Sequence, residues 1–249
     1  MKDFLTDQQI EQVPPFPLLG QLLVLATLMI LVLLTFRYGN EKKFQRFFLI
    51  AQAVQLLIFN SWHLLVAFSW EHSLPIYHCR LVMWGLLLLP NNSKFKQYFA
   101  LMGLSGAILT FVYPVMDHYA FPHITAFNFI LSHILLFANS FLYLYHSYRP
   151  QRLSIWQVVG YTLAVNALLL LANQVTGGNY GLLRSTPFIE DQALWVRYLG
   201  VSVGLGFSML VIDGFFRYLH AHPTLLEKFQ FFSFSVFAKF KKIRYNKEL

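Results

Sequence analysis

Seven apolar stretches, at roughly 16–36, 47–69, 73–90, 97–115, 124–147, 154–174 and 193–217, are long enough or nearly long enough to cross the hydrocarbon of a bilayer as helices. They predict an all-α, polytopic membrane protein with seven transmembrane helices, of which the third stretch is the shortest. Of 249 residues, 57% are hydrophobic and only 12% charged, and a water-soluble domain of this length needs far more polar surface to cover itself. The 26 Phe and 13 Tyr suit packing against acyl chains and anchoring at the headgroup level. A net charge of +8 raises nucleic acid as a partner. The basic residues, however, are scattered through short connections and gathered in the tail, which fits anionic lipid and argues against a nucleic-acid role.

Alternate connections differ in charge. Arg37, Lys42, Lys43 and Arg46, then Lys94 and Lys96, then Arg149 and Arg152, and finally the tail from Arg217 fall on one side. The other side has Lys2 and Arg184 against Asp3, Asp7, Glu11, Glu71, Asp117, Glu190 and Asp191. The positive-inside rule then puts the N-terminus outside and the C-terminus in the cytoplasm, which requires an odd number of spans. The segment from Met1 to Pro15 is acidic, the reverse of a signal peptide's first region, so no cleavage is expected. Residues 1–219 are expected to form the transmembrane domain and residues 220–249 a basic, aromatic cytoplasmic tail. In that tail Phe229, Phe232, Val236, Phe240 and Ile243 recur at helical spacing, with Lys228, Ser235, Lys239 and Lys242 on another face. This is the pattern of an amphipathic helix lying on anionic inner-leaflet lipids. Gly200, Gly204 and Ser208 repeat every four residues on the seventh span, a stripe that admits another helix from this bundle or from a second copy.

Polar side chains are costly in hydrocarbon, so those inside the spans should face the bundle interior or a cavity. The second span has Gln52, Gln55, Asn60 and His63, the fifth Asn128, Ser132, His133, Asn139 and Ser140, the sixth Asn166 and Asn173. Each alone is explained by a helix-to-helix hydrogen bond; together they make a polar interior. Among the histidines, His72, His78, His118 and His123 fall in or beside the outer connections, and His63 and His133 in the outer halves of their spans. That bias raises zinc as an alternative, but Asp117-His118 followed by His123 matches no HxxxH or HExxH pair, and no metal or other cofactor is expected. Asp213 and Arg217, four apart, can pair across one helical turn. Cys79 is the one cysteine, either apolar filler or a reactive thiol. Pro75 suits the first turn of a helix and would set the thiol about one turn in from the outer boundary. Beside it, Arg80 could favour a thiolate, hold a phosphate, or reach back to the headgroups.

The run Leu74-Pro75-Ile76-Tyr77-His78-Cys79 resembles the LPLHLC signature of the YwaF-type bacterial integral membrane proteins. Further matches follow in order. Tyr113-Pro114 with Phe121-Pro122-His123, Phe127, Phe129 and Ser132-His133 resemble that family's P…YPH…F…SH stretch, and Tyr148-Arg149-Pro150 its YRP loop. Gly178-Asn179-Tyr180-Gly181 with Leu183 and Pro187 resembles its NYGYL…KP segment. The likeness covers about Trp62 to Gly214. The family is similar in turn to an animal TMEM-type acyltransferase that remodels ether phospholipids, in which the cysteine of this motif carries the acyl group as a thioester. The resemblance implies Cys79 as acyl-accepting nucleophile and His133 as general base, with His123 and His63 as rivals. It implies that Asn179 and Tyr180 shape the site, with Arg80 or Asn179 available to a developing oxyanion. Two positions depart from the family: Tyr77 stands where it has histidine and Thr186 where it has lysine. His78 does not replace that histidine, since one position turns a side chain about 100° around a helix.

The activity so implied is a thiol-dependent phospholipid acyltransferase or lipase at the outer leaflet of a bacterial plasma membrane. Its partners would be membrane phospholipids, because an extracytoplasmic thiol has no access to acyl-CoA or ATP. Two readings of other classes stand beside it: a lipid-binding or lipid-translocating protein in which Cys79 is packing, and an assembly factor for envelope enzymes.

Overall fold

The computed structural model describes residues 3–13, 15–187 and 189–245, the side chains of 237–245 excepted. Among these residues the chain is all-helical and has no strand. Its helices are α1 (Leu18–Tyr38), α2 (Lys42–Leu65), α3 (His78–Leu88), α4 (Lys94–Val112), α5 (Ile124–Ser147), α6 (Ile155–Thr176), α7 (Leu194–Ala221) and α8 (Pro223–Tyr245). Six of them, α1, α2, α4, α5, α6 and α7, are long and apolar enough to cross a membrane. The third apolar stretch yields less helix than its sequence suggests: α3 has 11 residues, about 16 Å against about 30 Å of hydrocarbon.

Both ends of α3 have local causes. It stops where Pro90 follows Leu89, which is held extended at φ −80°, ψ 145°. It starts at His78, beyond Pro75, because side chains satisfy the backbone of the approach in place of helical hydrogen bonds. Arg80 Nη1 donates to the carbonyls of His72, Ser73 and Leu74 at 3.4, 3.4 and 3.3 Å. Tyr180 Oη donates to the Trp70 carbonyl at 2.7 Å and accepts from the Leu74 N–H at 3.2 Å. Pro75 is therefore in the approach and not in the helix, and Cys79 is the second residue of α3. Ordinary caps close α4 and α6: Ser93 caps α4, Ser154 and Gln157 form a capping box on α6, and α6 ends on Gly177 at φ 78°.

α5 is the hub, packed on α1, α2, α3 and α4, while α7 packs on α6 and α4. Leu22, Leu23, Leu168, Leu171, Val203 and Phe207 point outward, as a lipid-facing surface requires. The interior polar residues tie helices together. Asn139 Nδ2 donates to Gln52 Oε1 at 2.9 Å, Gln55 Nε2 to Asn128 Oδ1 at 2.5 Å, and Asn166 Nδ2 to Ser202 Oγ at 2.9 Å. At the end of the bundle carrying Arg149 and Arg152, here the basic end, Tyr148 Oη donates to Asp213 Oδ1 at 2.7 Å and Arg217 Nε to Asp213 Oδ2 at 2.6 Å. The YRP loop is thus clamped to α7 by its tyrosine.

α8 folds back along the basic end of α1. Phe229 stacks on Phe36 at 5.5 Å, Ser233 Oγ donates to the Leu33 carbonyl at 2.7 Å, and the Arg37 guanidinium lies 3.8 Å over the Phe234 ring. α8 meets α1 through the Phe229 ring and the fully buried Ser233, whereas Phe232 is 55% exposed. A serine permits closer approach to the α1 backbone than a phenylalanine does. Lys239, Phe240, Lys242 and Ile243 lie outside the described side chains, and Lys2 outside the described residues. On α7, among the described residues, nothing approaches within 4 Å of a Cβ added at Gly204.

Candidate functional site

Cys79 occupies the N-terminal turn of α3, opposite the basic end. Tyr77 supplies no side-chain cap, and the first helical bond runs from the Leu81 N–H to the Tyr77 carbonyl at 2.9 Å. The N–H groups of His78, Cys79 and Arg80 therefore precede any intrahelical partner, and the thiol lies against those of Cys79 and Arg80. The positive end of the α3 dipole lies on the side of the sulfur.

Three helices converge one turn deeper. A Cβ at Gly103 on α4 would lie 2.7 Å from Val82 of α3 and 3.0 Å from Leu136 of α5, and would also meet Ser140 Oγ. α3 and α5 run in the same direction, since Gln52 Nε2 bonds the Met83 carbonyl while Gln52 Oε1 bonds Asn139, and further along Tyr143 Oη bonds the Asn91 carbonyl. One turn back from Val82 is Cys79, one turn back from Leu136 is His133, and one turn on from Gly103 is the buried Ala107. By register, Cys79 on α3 and His133 on α5 fall in one layer, one turn beyond this crossing. Among the described residues the thiol makes no hydrogen bond to a histidine ring. His133 Nδ1–H donates to the Phe129 carbonyl at 2.7 Å, which leaves the lone pair on Nε2.

Arg80, 9% exposed, is the cation of the site. Besides three backbone carbonyls it reaches His63, whose Nε2 accepts from Nη2 at 3.0 Å, and its guanidinium lies over the Phe59 and Tyr77 rings at 5.0 and 5.3 Å. All of these partners are neutral or polar rather than anionic. Among the described residues the ion pairs are Arg217 with Asp213 and His72 with Glu71, so Arg80 has no carboxylate counter-ion. Asp117, on an exposed loop, is within electrostatic reach of it without pairing. His63, with its lone pair given to Arg80, holds that arginine in place.

The remaining expected residues build the walls. Tyr180 is fully buried; it fastens the approach to α3 and packs edge-on against Tyr77 at 4.8 Å. Burial pushes its phenol up, so it stays a protonated donor. The Asn179 side chain is turned into its own loop, accepting from the N–H groups of Arg184 and Ser185 at 2.8 and 3.1 Å and donating to the Ser185 carbonyl at 2.9 Å. His123, 0% exposed, caps α5: Nδ1 accepts from Thr125, Nε2–H donates to the Thr6 carbonyl at 3.0 Å, and its ring stacks on Tyr119 at 4.1 Å. Both of its nitrogens are occupied. Burial lowers its proton affinity below the usual histidine value.

His78, set aside in the sequence, is the residue the structure adds. Its Nε2–H donates to Asn166 Oδ1 at 2.6 Å, and Asn166 passes the bond to Ser202. Its ring fits against Gly181, where φ is +72° and a Cβ would come within 2.8 Å of His78 Cε1. The glycine of the NYG segment is therefore required twice, for its backbone and for this contact. Among the described residues no three His, Cys, Asp or Glu side chains are grouped to hold a metal ion, so zinc gains no support. No curated protein and no solved structure matches the chain. A family model does, over residues 6–213, and it is that of the TMEM164 family.

Proposed function

The chain belongs to the TMEM164 family of membrane proteins, and from that membership and the layer around Cys79 we propose a membrane-embedded, thiol-dependent phospholipid acyltransferase or lipase working through an acyl-cysteine. One observation carries the reading: Cys79 lies on the N-terminal turn of α3, in register with His133, whose Nδ1–H is tied to Phe129, and next to the buried Arg80, which pairs with no carboxylate among the described residues. The interior amides are taken up in hydrogen bonds between helices, Asn139 to Gln52 and Asn166 to Ser202, which favours chemistry over translocation.

In the first half-reaction His133 Nε2 takes the thiol proton as sulfur attacks the ester carbonyl of a donor phospholipid. The tetrahedral oxyanion falls against the N–H groups at the start of α3. The carbon–oxygen bond breaks, the proton passes to the leaving alkoxide, and a lysophospholipid departs from the thioester. In the second half-reaction the hydroxyl of an acceptor lipid, or water, attacks with the same histidine as base and regenerates the thiol. Arg80 holds the headgroup phosphate of the donor. Transfer between esters through a thioester needs no nucleotide.

The topology that goes with this is seven crossings in a plasma membrane, N-terminus outside and C-terminus in the cytoplasm, with α8 on anionic inner-leaflet lipids. The third crossing consists of α3 plus its non-helical flanks. Leu74, before α3, is bonded to Tyr180 at one end of the bundle, and Asn91, after it, accepts from Tyr143 and Arg152 at the other. Arg80 and Tyr180 satisfy the unwound backbone, as a bilayer demands. The test is reconstitution into vesicles of phosphatidylethanolamine with an isotopically labelled acyl chain and an unlabelled lysophospholipid acceptor. Label should move to the acceptor, or to free fatty acid when the acceptor is omitted, and Cys79→Ser should move none. Transfer by Cys79→Ser at the wild-type rate would refute the proposal.

A further inference from the structure

A cavity of about 90 Å³ opens toward the basic end, at the opposite end of α3 from Cys79, lined by Lys96, Asn91, Asn139, Tyr143, His146 and Ser147 with the apolar side chains of Leu86 and Leu142. Lys96 is 8% exposed. One of its N–H groups caps the end of α3 through the Leu89 carbonyl at 2.8 Å, and the Tyr143 ring lies 5.6 Å from the ammonium. Its other two donors make no hydrogen bond among the described residues, and no Asp or Glu is among the residues lining the cavity. A second cation adjoins: Arg152 Nη1 donates to Tyr143 Oη at 3.0 Å and to the Ser147 carbonyl at 2.8 Å.

Capping α3 uses one donor of three and does not neutralise the charge. A desolvated ammonium without a counter-ion, facing a polar cavity, is arranged for an anion. Size limits which anion. The volume is enough for a phosphate group and far below the several hundred cubic ångströms of a pocket that encloses a whole small-molecule ligand. We propose that this cavity binds a phosphate-type oxyanion at the basic end of the bundle. Its source is either free phosphate or a phosphomonoester lipid headgroup whose chains stay in the bilayer. The inference is independent of the acyl-transfer reading, since it uses no residue of that site.

Thermal unfolding of the full chain in detergent, at constant ionic strength, tests it with inorganic phosphate, dihexanoyl phosphatidic acid and neutral dihexanoylglycerol. Phosphate or the phosphatidic acid should raise the midpoint saturably, and the neutral lipid should not. Lys96→Met should weaken the effect at least tenfold, while the exposed Lys94→Met should leave it unchanged. Saturation by phosphate assigns a free ion, and saturation by the lipid alone assigns a headgroup. No saturable shift with either anion, an equal shift with the neutral lipid, or undiminished binding by Lys96→Met would overturn the proposal. If Lys96→Met does not fold, Ser147→Phe, which narrows the cavity without touching the ammonium, must show the loss, and wild-type binding by that variant would overturn it as well.

Discussion

Cys79, Arg80 and His133 are each ordinary in type and unusual in surroundings. The thiol lies at a helix start, the arginine is buried with hydrogen-bond partners that are all uncharged, and the histidine has Nδ1 held by a backbone carbonyl. With His133 as base, His133→Ala should lower acyl transfer by about 10²- to 10⁴-fold while the protein remains folded, read from label transfer alongside an unfolding curve. With Arg80 holding the donor phosphate as proposed, Arg80→Gln should raise the KM for phospholipid more than it lowers kcat. His123 has a different role. Folding lowers its proton affinity, so the stability it contributes is complete above the unfolded-state value of about 6.5 and is lost as the pH falls below it. The wild-type midpoint should fall as the pH is lowered from about 6.5, and that of His123→Asn, which keeps a neutral cap, should fall less over the same window. Cys79 and His133 stand out in the sequence because motif and depth coincide on them. His78 does not, because its partner Asn166 lies 88 positions away and no local period marks the pair.

The approach to α3 is the element on which the site depends. Sequence hydropathy counts residues 73–90 as one run, and it cannot register that Arg80 and Tyr180 replace helical hydrogen bonds with side-chain ones. Tyr180→Phe leaves the Trp70 carbonyl and Leu74 N–H without that hydroxyl and should cost about 1–3 kcal/mol in stability. Its signature should be a reduced kcat with an intact fold, since the segment leading into Cys79 is loosened. At the basic end, Tyr148→Phe removes a hydrogen bond to the buried Asp213 carboxylate and should cost about 2 kcal/mol by unfolding, with acyl transfer unchanged at temperatures where the protein is folded. The tail shows the same limit on sequence reading. Helical spacing identifies α8, but the face that packs is decided by Ser233 meeting the α1 backbone, a contact 200 positions apart.

Across the whole molecule the charge asymmetry of the loops and the placement of the motifs converge. The motif-bearing connections 66–77, 113–123 and 177–193 gather at one end, joined by Tyr180 to Trp70, His123 to Thr6 and Trp62 to the Leu5 carbonyl, while the arginine-rich connections lie at the other. Hydropathy and charge suffice for that arrangement because lipid leaves the backbone few options. They do not show which polar residues are spent on helix contacts. The measurement that bears most directly on the acyl-cysteine is the intact mass of the protein purified from a membrane rich in phospholipid and trapped without acceptor. A fraction of wild type should carry one added acyl group, removed by hydroxylamine and mapped to Cys79, and that mass should be absent from Cys79→Ser and accumulate more slowly in His133→Ala. An unacylated wild-type protein under these conditions, or a hydroxylamine-resistant acyl group elsewhere in the chain, would contradict a catalytic role for Cys79.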